Sequence, residues 1–370
     1  MERTKYIVFG SEHYNPLGII RSLGEEGICV DAVIIKGPRP LASKSKYINK
    51  LWIVDNLEQG YQLIIDKYAD VNEKKFLLTG GDNTTSFLDM HYDEIKDYFF
   101  FQNANEQGRI TYFMDKNNIN QLAIKHGFKV LKTYLTPKGV IPENIVYPVI
   151  TKSSSSNAGG KSDVFICNND DELLEAFKQI TSEEVLIQKY IKKKNELCLD
   201  GLSVNKGQDV IVTMGTDYKY ILADSYSQYM NMFTYKDENV LEKIRGMLAE
   251  IMYDGIFTVE FLRDLDDELY FLEINLRNSG WSYASTCVGM NLPMIWSKAM
   301  VDGKIDKKVL KDIPNGCTAM ADLDDFRVRV RRQKMNIIKW FRDFRNCTAV
   351  FYYNSKDKMP LISFLFHRIF

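Results

Sequence analysis

The chain has no pair of cysteines spaced to hold a metal or to seed a disulfide framework. Its six cysteines (Cys29, Cys167, Cys198, Cys287, Cys317, Cys347) are scattered through 370 residues without a CxxC. That excludes a zinc ribbon and suits a reduced compartment. The four histidines (His13, His91, His126, His367) do not cluster, so neither a His metal site nor a Ser-His-Asp triad is supported. No apolar run approaches the ~20 residues that span a bilayer. The sequence passes from MERTK straight into the strand-like YIVFG, with no leader-like apolar region, so a cytoplasmic location is expected. There is no GxGxxG fingerprint, and the GKS near residue 161 precedes a strand rather than a helix, which excludes a Walker A loop. Charge of one sign is lacking too: a net charge of −1 gives no reason to expect a nucleic-acid partner.

What is present is an ordinary globular composition, 45% hydrophobic and 26% charged, in a chain long enough for two or three domains. The buried-type runs YIVFG, ICVDAVII, KYINKLWIV and KKFLLTGGD are interspersed with the helical stretches LGIIRSLGEEG and EQGYQLIIDKYA. Such alternation predicts a parallel sheet covered on both faces, with ligands beyond the carboxyl ends of its strands. Residues 11–18, with Tyr14 and Asn15, and residues 80–84 fall on that rim. From about residue 110 the pattern changes. Asp115 is suited to cap a helix over 116–126 that Gly127 closes. The strands FKVLKTYL, IVYPVITK, DVFIC, VLIQKYI, ELCLDGLSV and DVIVTMG follow, with a helix over about 237–253 that Gly255 ends. This half is α+β.

The segment 256–281, IFTVEFLRDLDDELYFLEINLRNSGW, carries the most chemistry. Two β-rich runs around a polar break predict an antiparallel hairpin. Alternation along a strand puts Glu273, Asn275 and Arg277 on one face, and the loop length puts Glu260 on it too. Two carboxylates that close repel unless a cation lies between them, and oxygen-only donors suit Mg²⁺ or Mn²⁺. The plain alternative is a solvated charged face. Against it, Phe257, Val259, Phe261, Leu272, Ile274 and Leu276 fall on one face, while Ile256, Thr258 and Tyr270 accompany Glu260 on the other. Buried carboxylates need partners.

Three further constellations stand out, each with a bland reading beside the functional one. Lys152 ends an apolar strand directly before SSSSNAGGKS. Small residues there let the backbone approach nucleotide phosphates, or simply form a flexible connector. In LIQKYIKKKNE, Gln188 could accept from an adenine amine and Glu196 from ribose hydroxyls, or the stretch is a solvated edge strand. Residues 327–345 interleave Arg327, Arg329, Arg331, Arg332, Lys334, Lys339, Arg342 and Arg345 with Met335, Ile337, Ile338, Trp340, Phe341 and Phe344. That segment either lies on an anionic membrane or packs its apolar face on its own domain.

Together and in this order, these pieces resemble the ATP-grasp superfamily of carboxylate–amine ligases. The most specific element is E260…E273-I-N275-L-R277, similar to the paired metal-binding Glu, Glu-x-Asn and Arg of biotin carboxylase and of the carbamoyl-phosphate synthetase large subunit. The resemblance implies a pre-ATP-grasp Rossmann-like domain (1–109) followed by an ATP-grasp domain (110–303, subdivided into 110–187 and 188–303), with a C-terminal extension (304–370). It implies Glu260, Glu273 and Asn275 as ligands of Mg²⁺ or Mn²⁺. It implies Lys116, Lys152, Ser154, Ser155, Ser156, Gly159, Gly160, Gln188, Lys189, Tyr190, Ile191 and Glu196 as the ATP site. Arg277 and Lys152 would be catalytic, and Tyr14, Asn15, Ser279 and Gly280 would face substrate. The mobile loop has Ser where many relatives have Gly, and the hinge begins with Gln rather than Glu.

Within the superfamily, NPLGIIRSLGEEGICV and DKMPLISFLFHRIF look most like bacterial D-aspartate ligase and relatives in cell-surface polysaccharide loci. The implied activity joins a carboxylate, an amino acid in the first instance, to an amine through an acyl phosphate. The implied partners are the two small-molecule substrates and a second copy in a homodimer. Peripheral membrane contact through 327–345 would hold the chain at the inner face of the membrane. Two alternatives stay open: a nucleotide-binding subunit without catalysis, and a carboxylase or carbamoyl-phosphate synthetase-like activity.

Overall fold

The computed structural model of the chain describes residues 6–153, 163–221 and 226–367. The chain divides into two compact units. One comprises Met1–Gly127, Leu197–Glu260 and Glu273–Phe370, and the other Phe128–Glu196 with Phe261–Leu272.

The first unit opens with a parallel sheet of β1 (Tyr6–Ser11), β2 (Val30–Ile35), β3 (Ile48–Val54), β4 (Lys75–Thr79) and β5 (Phe99–Phe101), in the order β3-β2-β1-β4-β5. Alternation sends Tyr6 and Val8 into one core and Ile7 and Phe9 into another, so both faces are covered as expected. The three-residue β5 gives no sequence pattern of its own.

In the second unit, β6 (Lys129–Val130), β7 (Thr133–Pro137), β8 (Val149–Ser153), β9 (Ile166–Cys167) and β10 (Glu184–Lys189) follow one another. All but β6 form an antiparallel sheet in the order β7-β10-β8-β9. The helix Asp170–Gln179, capped by Asn169 accepting from the Glu172 amide, buries Leu173 and Phe177 against Val149, Val185 and Ile187. The run FKVLKTYL, expected as one strand, is two. A break after Val130 lets β6 pair with Tyr270 and Phe271 while β7 pairs with β10, which one straight strand could not do.

The remaining strands are β11 (Lys193–Val204), β12 (Asp209–Tyr218), β13 (Tyr229–Phe233), β14 (Gly255–Asp264), β15 (Leu269–Asn275), β16 (Thr318–Met320) and β17 (Ala349–Val350). They form a sheet in the order β17-β16-β13-β12-β11-β14-β15-β6. The helix Glu238–Ile251 leads into β14, but Gly255 does not end it. Met252 does so in the left-handed conformation at φ 60°, and Gly255 is already in the strand. The Asp115 cap is as expected, its carboxylate accepting from the amides of Asn117 and Asn118, with Gly127 at φ 79°. No described helix is long and apolar enough to cross a membrane.

Residues beyond 304 supply β16 and β17 and are anchored by a buried arginine. Arg21, fully buried on the helix Tyr14–Glu25, pairs with Asp357 at 3.1 Å and donates to the carbonyls of Phe351, Tyr352 and Asp357 at 2.7–3.1 Å. Asp357 also accepts from Ser45 Oγ and the Lys46 amide. Removing one partner would leave a buried charge unmatched. Arg21→Met is therefore expected to destabilise the fold by ~3–5 kcal/mol in chemical denaturation; a loss below ~1 kcal/mol would overturn this account.

Candidate active site

The site in the first unit begins where β14 and β15 lie side by side. Their inward residues Phe257, Val259 and Ile274 are buried, which fixes the strands against the core. Glu260, Glu273 and Asn275 are half-buried. The Asn275 amide nitrogen donates to Glu260 Oε1 at 3.1 Å and to Glu273 Oε1 at 3.3 Å, so both carboxylates converge on one group. Its oxygen accepts from Arg277 Nη2 at 2.9 Å.

Arg277 lies just past the end of β15 and is gripped from the other side. Its Nε and Nη2 donate to Asp82 Oδ1 and Oδ2 at 2.5 and 2.9 Å, a two-pronged pair. Asp82 opens the helix after β4, on the rim expected to face ligand. Its side chain is 57% exposed, against 15% for Arg277, so water screens the pair and its main effect is to aim the guanidinium. A cavity of about 270 Å³ opens here, lined by Asp82, Lys116, Glu273, Asn275 and Arg277, with Phe113 and Met114 as apolar wall. A smaller groove of about 160 Å³ is lined by Met294, Lys298, Asp302, Lys304, Asp306 and Val309.

This donor set fits a hard cation. Among the described residues, no group of three or more His, Cys, Asp or Glu is placed to hold a metal. A cation here would rest on two carboxylates, an amide oxygen and oxygens brought by a ligand. Mg²⁺ is commonly held in that way, through one or two carboxylates plus substrate phosphates. A half-turn of the Asn275 amide exchanges its nitrogen for its oxygen.

Behind the site lies a buried acid that sequence reasoning missed. Asp200 on β11 is fully buried; its Oδ1 accepts from Thr258, Ser279 and Ser282 hydroxyls at 2.8–3.0 Å, and its Oδ2 has no partner among the described residues. Burial raises its pKa, against the lowering effect of these hydroxyls. A lone Asp inside the apolar run ELCLDGLSV was the available signal. Gly201 beside it sits at a register shift, where a Cβ would fall 2.3 Å from the Ile211 carbonyl oxygen.

Two residues expected to face substrate lie instead in packing. Asn15 is buried, its amide donating to the carbonyls of Gly80 and Asn278 and accepting from Asn278 Nδ2. Ser279 is buried on Asp200 and Ser282. Asn15 joins the rim of the parallel sheet to the chain after β15, and Ser279 joins that chain to β11. Tyr14 packs on Phe351 and Tyr352, and burial pushes its hydroxyl up to about 12. A Cβ at Gly280 would lie 2.6 Å from its ring.

In the second unit, Lys152 Nζ donates to Gln188 Oε1 at 2.8 Å, and Gln188 Nε2 donates to Thr133. The oxygen expected to meet an adenine amine thus holds a lysine in this structure. Lys189 Nζ donates to the Tyr147 carbonyl, and Tyr190 and Ile191 follow β10 half-buried. Glu196, buried, pairs with Lys193 at 2.7 Å. Ser154, Ser155, Ser156, Gly159 and Gly160 lie outside the described residues.

The family model described as the carbamoyl-phosphate synthase L chain, ATP binding domain, matches residues 113–307. Among curated proteins, N5-carboxyaminoimidazole ribonucleotide synthase of Staphylococcus aureus (strain COL) is 30% identical over 154 residues, 39% of this chain and 39% of its own length. The chain thus spans about two fifths of that relative. Among solved structures, an L-amino acid ligase from Bacillus licheniformis superposes with TM-score 0.60 at 13% identity, covering 81% of this chain and 75% of its own. The biotin carboxylase domain dimer of Hydrogenobacter thermophilus 2-oxoglutarate carboxylase, in complex with MgADP, ADP and bicarbonate, gives 0.60 at 18%, covering 84% and 73%. At these identities the structural likeness is one of fold: a Rossmann-like domain followed by an ATP-grasp fold.

The raised pKa of Asp200 has a signed consequence. The native protein holds this proton more tightly than the unfolded chain, so the group favours folding below the ordinary carboxylate pKa. That contribution is lost as pH rises through the folded value. Asp200→Asn removes the effect and places an amide at the orphaned Oδ2. Unfolding at pH 5 and pH 8 is expected to show the variant gaining on wild type as pH rises. A pH-independent difference would refute a raised pKa at Asp200.

Proposed function

The chain belongs to the family of the carbamoyl-phosphate synthase L chain ATP-binding domain, within the ATP-grasp superfamily, and from that premise we propose that it is an ATP- and Mg²⁺-dependent carbon–nitrogen ligase. It joins a carboxylate, an amino acid in our reading, to an amine and releases ADP and phosphate. The observation that carries this is the cavity where Glu273, Asn275 and Arg277 meet Lys116, with Glu260 joined to the same Asn275 amide behind them. A protein that merely binds nucleotide has little need of the arginine.

In this reading a carboxylate oxygen attacks the γ-phosphorus of ATP, ADP departs, and an acyl phosphate forms. The amine then attacks the acyl carbon, phosphate leaves, and the nitrogen gives up a proton. Glu260, Glu273 and Asn275 would hold Mg²⁺, which supplies neutralisation of phosphate charge. Lys116 meets phosphate oxygens, and Arg277, aimed by Asp82, meets the oxyanion that develops at the acyl carbon. Lys152, Ser154–Ser156, Gly159, Gly160, Gln188–Ile191 and Glu196 keep the nucleotide roles implied by the resemblance. The MgADP complex of the 2-oxoglutarate carboxylase domain and the name of the L-amino acid ligase support nucleotide, metal and substrate class in turn. That carboxylase domain is a dimer, which supports a homodimer here. A role in peptidoglycan or surface-polysaccharide modification, at the inner face of the membrane, is the pathway we favour.

A phosphate-release screen of amino acids, singly and in pairs, with bicarbonate among the acids, tests the reaction. Release that depends on one acid–amine pair, with the amide found by mass spectrometry, is the expected result. Release with bicarbonate and no amino acid points to carboxylation, and no release with any pair overturns catalysis. Arg277→Ala should keep ATP binding but lose turnover by about 10²–10³, or ~3–4 kcal/mol. Unchanged turnover refutes its role. Glu273→Gln should weaken Mg²⁺-dependent nucleotide binding at least ~10-fold by removing a first ligand of the cation. Binding unaltered in calorimetry would remove Glu273 from the metal site.

A further inference from the structure

The helix Ile337–Asn346 is held by one side only. Trp340 donates from Nε1 to Asp325 Oδ2 at 2.8 Å and stacks edge-on against Phe326, while Asp343 pairs with Arg329 at 2.6 Å and Phe344 meets Tyr353. The adjoining face presents Ile337, Ile338 and Phe341, which are 57%, 71% and 52% exposed, with Phe341 stacked on Phe344 at its edge. Three bulky apolar side chains so exposed on one short helix cost solvation free energy unless something covers them.

The surrounding charge says what covers them. Residues 326–346 hold eight basic side chains and one acid, Asp343, or 8 − 1 = +7, in a chain whose net charge is −1. Arg327 and Arg329 pair with Asp324, Asp325 and Asp343. Arg332, Lys334, Lys339, Arg342 and Arg345 are exposed and make no ion pair among the described residues. The π-helical turn Phe326–Arg332 carries Arg331 and Arg332 up to this helix.

We propose that this face docks on an anionic lipid surface. Phosphate headgroups would meet the basic rim while Ile337, Ile338 and Phe341 reach the acyl boundary. A second copy of the same face would set like charges against each other, and a nucleic acid would leave the apolar side chains uncovered. The helix Met359–Phe366 also leaves Met359, Ile362, Leu365 and Phe366 about half exposed. With no membrane-crossing helix among the described residues, the contact is peripheral. This deepens the membrane reading proposed above but draws on none of the nucleotide-site residues.

The test is flotation of the full chain with vesicles of phosphatidylcholine alone and of mixed phosphatidylcholine and phosphatidylglycerol. Binding to the mixed vesicles is expected to be at least ~10-fold tighter and to weaken as salt is raised. R342E/R345E should abolish that preference. I338D/F341D should weaken binding at least ~10-fold while the chain stays folded by circular dichroism, since both side chains are more than half exposed. Equal binding to neutral vesicles, no binding, or binding untouched by I338D/F341D overturns the proposal. So does a concentration-dependent dimer that I338D/F341D abolishes. ATP binding, measured on the same variants, stays unchanged and keeps this outcome separate from the ligase reading.

Discussion

Two acidic side chains on neighbouring strands, brought too close to be left facing each other unpartnered, organise the first unit. Glu260 and Glu273 both turn to the Asn275 amide, which answers their repulsion with two N–H donors. The strands cannot rotate away, because Phe257 and Val259 on one and Ile274 on the other are locked in the core. In the proposed reading, a divalent cation held by Glu260, Glu273 and Asn275 would neutralise the two carboxylates more fully than an amide can.

The structure behind this pair serves to keep it still. Asp82 reaches from the rim of the parallel sheet to Arg277, and Asn15 and Asn278 exchange amide hydrogen bonds one layer deeper. Below them Asp200 gathers the hydroxyls of Thr258, Ser279 and Ser282 onto one oxygen, joining β11, β14 and the chain after β15. Burial raises the pKa of this acid, while the three hydroxyl donors on one oxygen pull it down. On the far side, Arg21 and Asp357 fasten the last strands of the large sheet to the first helix. Residues from opposite ends of the chain are thus needed to build one rigid platform.

Much of this could be foreseen from local patterns. The parallel sheet, the Asp115 cap and the hairpin of β14 and β15 all follow from periodicity and capping within a dozen residues. The rim at 80–84 follows from the rule for ligands of parallel sheets, although Asp82 as the partner of Arg277 does not. Other features had no local signal. FKVLKTYL splits because its two halves pair with different strands, and Met252 ends a helix in a conformation for which its side chain has no preference. The basic segment expected either to pack or to lie on a surface does the first with Trp340 and Phe344, and leaves Ile337, Ile338 and Phe341 uncovered.

The sequence by itself determined which atoms could do chemistry, because residue type and alternation decide what a strand can present on each face. Glu260, Glu273, Asn275 and Arg277 could be picked out together for that reason. Tertiary structure alone decided what holds them. Asp82 meets Arg277, Asp200 meets Thr258 and Ser279, and Asn15 meets Asn278 across separations of 58 to 263 residues, and no local period encodes a contact made only when distant segments fold together.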